Sequence, residues 1–138
     1  MMTQKRLSNW PLLLATEIEA ARTTPFAWGQ HDCALFAADV VLAITGSDPA
    51  AAVRGSYRSQ RGSARVLKRL GCDTLEEAAT KALGQAVSCA LLQRGDVALL
   101  DLPTGPTLGI CVGATVAAPA ETGLAFLPLD NAIKGWHL

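Results

Sequence analysis

The stretch PFAWGQHDCALFAADVVLAIT, residues 25–45, decides how the rest of the chain must be arranged. Within it Cys33, Phe36, Ala37, Val40, Val41 and Ile44 recur at the 3.6-residue period of one helix face. That face is wholly apolar, so the helix is central and the remaining chain has to cover it. Asp32 stands directly before the pattern as an N-cap, and Gly46 follows it where a C-terminal glycine is expected. The approach, TTPFAWGQHD, reads as a loop with Phe26 and Trp28 as packing anchors. Cys33 therefore falls in the first helical turn. Unpaired amides and the positive end of the helix dipole favour a thiolate there, which makes the sulfur a candidate nucleophile. A buried cysteine also serves as a small packing group, and position alone leaves the two readings evenly matched.

Outward from this helix, residues 10–22 (WPLLLATEIEAAR) predict an earlier one, with Ser8 or Asn9 as cap, Pro11 in its first turn and Leu14, Ile18 and Ala21 on one stripe. After Gly46 the segment SDPAAAVRGSYRSQRG is turn-prone. Residues 63–70 predict a short helix ended by Gly71, and residues 74–83 another, with Asp73 as N-cap and Glu76 at the capping-box spacing. Together these form a helical insertion over about residues 47–90. From Arg94 onward glycine and proline separate short β-rich runs at residues 96–101, 107–112, 115–118, 123–127 and 133–137. That is the pattern of an antiparallel meander over about residues 95–138. Helices first and strands afterwards give an α+β chain, one domain over residues 1–138, with the cysteine-bearing helix packed on the sheet.

A chain of 138 residues that is 50% apolar is long enough to bury a real core. Its formal net charge is zero, so no global field recruits nucleic acid or a membrane surface. The charges are unevenly placed, however. Arg54, Arg58, Arg61, Arg65, Lys68 and Arg69 follow one another with no acidic residue among them. A solvated face is the plainer reading of that run. Its arginines Arg54, Arg58, Arg61 and Arg65 are the candidates for contact with a partner. Tyr57 is the only aromatic in this run and no nucleic-acid reading motif is present, which disfavours nucleic acid as the partner.

The four cysteines, Cys33, Cys72, Cys89 and Cys111, lack the close pairs of zinc and redox motifs, so free thiols and neither metal nor cofactor are expected, as suits a reducing cytoplasm. Lys5 and Arg6 precede a short apolar run, but Glu17 and Glu19 interrupt it, so the expectation is synthesis without a signal peptide. No run approaches membrane-spanning length, and no membrane insertion is expected.

Three motifs then stand in order: W-G…D-C at Trp28, Gly29, Asp32 and Cys33, G-D at Gly95 and Asp96, and T-L-G-I-C-V-G from Thr107 to Gly113. In that order they resemble the NlpC family of cell-wall cysteine peptidases, within the papain-like superfamily, whose corresponding strand reads H-V-G-I-Y-V-G. FAWGQHDCALFAADVV, followed by T-G-S-D-P, also resembles a small set of proteins encoded in tailed phages and prophages. The resemblance implies a papain-like fold with Cys33 as nucleophile, attacking peptidoglycan peptides through a thioester while amides at the helix start hold the oxyanion.

It also implies a histidine base at the head of the second strand, and Thr107 occupies that position. A threonine hydroxyl does not take up a thiol proton near neutral pH. The family's third position, a polar residue that orients the histidine, falls near residues 117–120, which are apolar. His31, two residues before the cysteine, and His137, next to the last residue, are the only histidines that could substitute. The reading is therefore a degenerate, structural domain of a phage tail tip, hub or baseplate, carried in the virion, with other tail proteins as partners. The alternative is an active cysteine hydrolase or amidase with peptidoglycan as its partner.

Overall fold

A computed structural model describes residues 5–138. Four helices, α1 (Trp10–Ala21), α2 (Cys33–Thr45), α3 (Gln60–Arg69) and α4 (Leu75–Leu83), precede the main strands. The strands are β1 (Val87–Ser88), β2 (Val97–Leu102), β3 (Gly105–Cys111), β4 (Thr115–Ala120), β5 (Gly123–Pro128) and β6 (Ala132–Trp136). The chain is thus α+β, with one six-stranded antiparallel sheet in the order β1-β6-β2-β3-β4-β5.

α2 is central because its sequence buries it on two sides. Phe36, Ala37, Val40, Val41 and Ile44 pack with Leu14, Ile18 and Ala21 of α1 and with Val97, Leu99, Leu108, Ile110, Ala117 and Trp136 of the sheet. Leu35 and Ala38, on its other side, meet Ala50, Tyr57 and Val66 of the insertion. Its ends are fixed by Asp32, whose carboxylate accepts from the Leu35 amide, and by Gly46 at φ 83°, a left-handed turn that glycine adopts without strain. The sheet's far face is buried too, with Ala98, Leu100, Val116, Ala118 and Ala132 covered by Leu92, Leu127 and Leu129 among others. β2 accordingly lacks the alternation of a half-exposed strand and reads as a continuous apolar run.

The structure departs from expectation in three places. β2 to β5 form the expected meander, but β6 does not follow β5. It returns to the opposite side, pairing β2 through Val97↔Trp136 and β1 through Val87↔Gly135. α3 starts earlier than residue 63 because Ser59 caps it, its hydroxyl accepting from the Gly62 amide. At α4 the cap is Thr74 in place of Asp73, and Glu77 in place of Glu76 reaches back, accepting from the Asp73 amide at 2.8 Å. The capping chemistry is the expected one, moved along by one residue.

Candidate functional site at the start of helix α2

The loop before α2 is a tight turn. The Ala27 amide donates to the His31 carbonyl and the His31 amide to the Ala27 carbonyl, at 3.1 and 2.8 Å. Gly29 lies inside it at φ 79°, pressed so close to the Tyr57 carbonyl that a Cβ would overlap it. Asp32 then turns inward and is 1% exposed. Its carboxylate accepts from the Gly29 amide (3.0 Å), the Leu35 amide (2.9 Å) and the Tyr57 hydroxyl (2.5 Å). Burial first, and then this hydrogen bond to Asp32, push the Tyr57 hydroxyl far above its ordinary pKa, so it stays protonated and donates. Trp28 and Phe26 stack edge to face at 4.9 Å on the outside of the turn.

Cys33 follows as the first residue of α2 and is partly covered. Burial pushes its thiol up to about 11, and the negative charge of Asp32 acts in the same direction. The Leu108, Ala34 and Cys33 amides pull the other way and do not compensate. β3 and β4 pair only at Ile110↔Ala117 and Cys111↔Val116, so Leu108, paired with Leu99 of β2, has no partner on β4. Among the described residues no side chain hydrogen-bonds to the sulfur.

Neither Thr107 nor either histidine hydrogen-bonds to the sulfur. Thr107 pairs with Leu100, and both lie on the sheet face turned away from α2. Its hydroxyl donates to the Gly105 carbonyl at 3.2 Å. The β3 residue that faces α2 is its neighbour Leu108, paired with Leu99 in the core. His31 packs its ring edge-on to Phe36 at 5.7 Å, and its Nε2 is buried without a hydrogen-bond partner among the described residues. His137 is at the wrong end of the molecule. Its Nδ1 lies 2.8 Å from Asp96, which also binds Arg6, and next to Arg6 the Leu7 amide donates to Ile44 at the far end of α2. Ile44 is eleven residues from Cys33, roughly 16 Å along the helix.

The arginines divide. Arg54 is held within the chain, with Nε on Asp48 at 2.7 Å and Nη1 on Asp39 of α2 at 2.9 Å. That hydrogen-bonded pairing holds Asp48 below, and Arg54 above, their ordinary values. Arg54 is therefore a clamp between the insertion and α2, its charge already met within the chain. Arg58, Arg61 and Arg65 are exposed and carry no ion pair among the described residues.

The sequence did not disclose Tyr57 as the partner of Asp32, or Leu108 as the residue facing the thiol. The available signal for Tyr57 was its being the only tyrosine, set in a polar turn segment where its ring has little else to explain it. Among the described residues no three His, Cys, Asp or Glu side chains gather as a metal site would require. No helix among them is long and apolar enough to cross a membrane. A search among curated proteins finds no match. The profile of one family, described as a domain of unknown function (DUF6950), runs over residues 5–138, from the arm beside α2 through the cysteine turn to the last strand, and the chain belongs to that family.

Proposed function

We propose that this chain is a catalytically silent, papain-like domain of the NlpC type, serving as a structural component of a phage or prophage tail, at the tip, hub or baseplate. The observation that carries the silent part is the thiol. With Cys33 pushed up to about 11 the thiol keeps its proton at neutral pH, and among the described residues no side chain hydrogen-bonds to the sulfur to take that proton during attack. The tail assignment is supported by the likeness of residues 26–41 to phage-encoded sequences. The unpaired Arg58, Arg61 and Arg65 offer a face to neighbouring tail proteins. Such a domain is made in the cytoplasm and leaves it inside the particle.

The test is the pH dependence of Cys33 alkylation in a chain with Cys72, Cys89 and Cys111 replaced by serine. The expected rate is low at neutral pH and climbs only above pH 9. A rate already at its plateau below pH 8 overturns the reading. A second reading, an active cysteine hydrolase or amidase on peptidoglycan, is favoured by two features. The Leu108, Ala34 and Cys33 amides act to favour the thiolate, and His31 holds an unpartnered ring nitrogen nearby in sequence. It requires peptidoglycan cleavage that Cys33→Ala abolishes.

A further inference from the structure

The insertion closes on α2 only in part, through Leu35 and Ala38 against Ala50, Tyr57 and Val66. Between α2, α3 and α4 lies a cavity of about 290 Å³, walled by Ala38 and Val41, by Val66 and Leu70, and by Ala79 and Leu83. It stays open because alanines line both α2 and α4, and their side chains are too short to meet across the gap. An enclosed apolar cavity of about half this volume takes up benzene, and this one, open on one side and lined mostly by apolar side chains, is of a size and character suited to a hydrocarbon chain. Two of its polar groups carry a head or a charge. The Tyr57 hydroxyl is already committed to Asp32 at 2.5 Å. Lys81 donates to the Leu70 carbonyl at 2.6 Å, which leaves two of its three ammonium hydrogens for another acceptor.

We propose that this cavity binds a single-chain anionic amphiphile of the medium-chain fatty-acid class, its chain between α2 and α4 and its carboxylate on Lys81. Size sets the chain: twice the volume of a benzene site holds about a dozen non-hydrogen atoms, a carboxylate of about ten carbons. Charge sets the head. α3, which supplies Val66 to the wall, carries Arg61, Arg65, Lys68 and Arg69 with no acidic residue. Of the two acidic residues of α4, Glu76 is paired with Lys134 and Glu77 accepts from the Asp73 amide, so the two helices together present an excess of positive charge to an anion. This binding is independent of the state of Cys33.

The test is calorimetric titration of the full chain with decanoate below its micelle concentration, with 1-decanol as the neutral probe of equal length and acetate as the head alone. Decanoate is expected to saturate one site, decanol to bind more weakly and acetate not at all. Lys81→Gln is expected to weaken decanoate about tenfold, the value of one charge-assisted hydrogen bond, and to leave decanol unchanged. Ala78→Phe fills the cavity from α4 and Ala38→Leu from α2, and each is expected to abolish binding of both probes. Absence of saturable decanoate binding overturns the proposal, as does binding that survives a folded filler variant. A dimer in sedimentation that the fillers dissociate also overturns it, in favour of a second copy as occupant.

Discussion

Two opposing effects meet at Cys33, and magnitudes decide between them. A helix N-terminus favours an anion by about 0.3–1 kcal/mol, less than one pKa unit, whereas burial shifts a thiol by several units. Desolvation wins, and the thiol stands at about 11. The sign of the linked stability follows. An unfolded cysteine ionises near pH 8.5, so the folded state holds its proton longer and its full contribution is present below that pH. Between about pH 8.5 and 11 the unfolded chain loses the proton first and stability falls. Cys33→Ala is expected to flatten that decline, measured as the urea unfolding free energy at successive pH values. An unchanged slope would show that the sulfur is not desolvated. The facing residue gives a sharper contrast. Thr107→His is expected to leave the Cys33 alkylation profile unchanged, because position 107 shares the far face with Leu100. Leu108→His places an imidazole on the α2 face and is expected to move the profile to lower pH, at some cost in core packing. A Thr107→His chain with an accelerated thiol would contradict the strand register.

Helix α2 is held against the insertion by the small apolar cluster of Leu35, Ala38, Ala50, Tyr57 and Val66 and by polar ties, of which Tyr57 to Asp32 is the buried one. Tyr57→Phe keeps the ring but removes one of three donors to a buried carboxylate. The expected loss is about 1–3 kcal/mol in urea unfolding, the cost of leaving a buried acceptor short of a partner. A loss under about 0.5 kcal/mol would mean that the two amides alone satisfy Asp32. α2 itself was legible in sequence, from its apolar period, its capping aspartate and its closing glycine, because each of those signals acts within a few residues. The turn chemistry of Gly29 was legible only as loop. Its close approach to the Tyr57 backbone depends on a segment nearly thirty residues away. β6 was legible as a strand and illegible in its pairing. Antiparallel neighbours are usually consecutive, and nothing local in residues 132–136 announces that they return to β2. The face of Thr107 was lost for a related reason. A one-residue slip in register exchanges the two faces of a strand, and motif likeness does not resolve a slip of one.

On the scale of the whole molecule, both ends of the described chain converge on a single buried carboxylate. Asp96, 1% exposed at the head of β2, accepts from Arg6 at 2.7 Å, the Gln93 amide at 2.9 Å and the Leu138 amide at 3.2 Å, with His137 Nδ1 at 2.8 Å. Arg6 also donates to the Arg94 and Leu138 carbonyls and lies over the Trp10 ring. The G-D pair was readable in sequence as a strand start. Its role as a knot was not, since its partners lie up to 90 residues away. Asp96→Asn keeps the shape but removes the negative charge opposite Arg6. It also sets at least one amide N–H against a donor, because every neighbour of the carboxylate except the histidine is a fixed N–H group. Breaking a buried, hydrogen-bonded charge pair costs about 3–5 kcal/mol, and that is the expected loss in urea unfolding. His137→Ala is expected to cost about 1 kcal/mol or less, because that side chain is 40% exposed and its partner keeps three other donors. Should Asp96→Asn cost no more than His137→Ala, Arg6 would be finding its compensation in water, and the two ends would be held by the β2–β6 ladder alone.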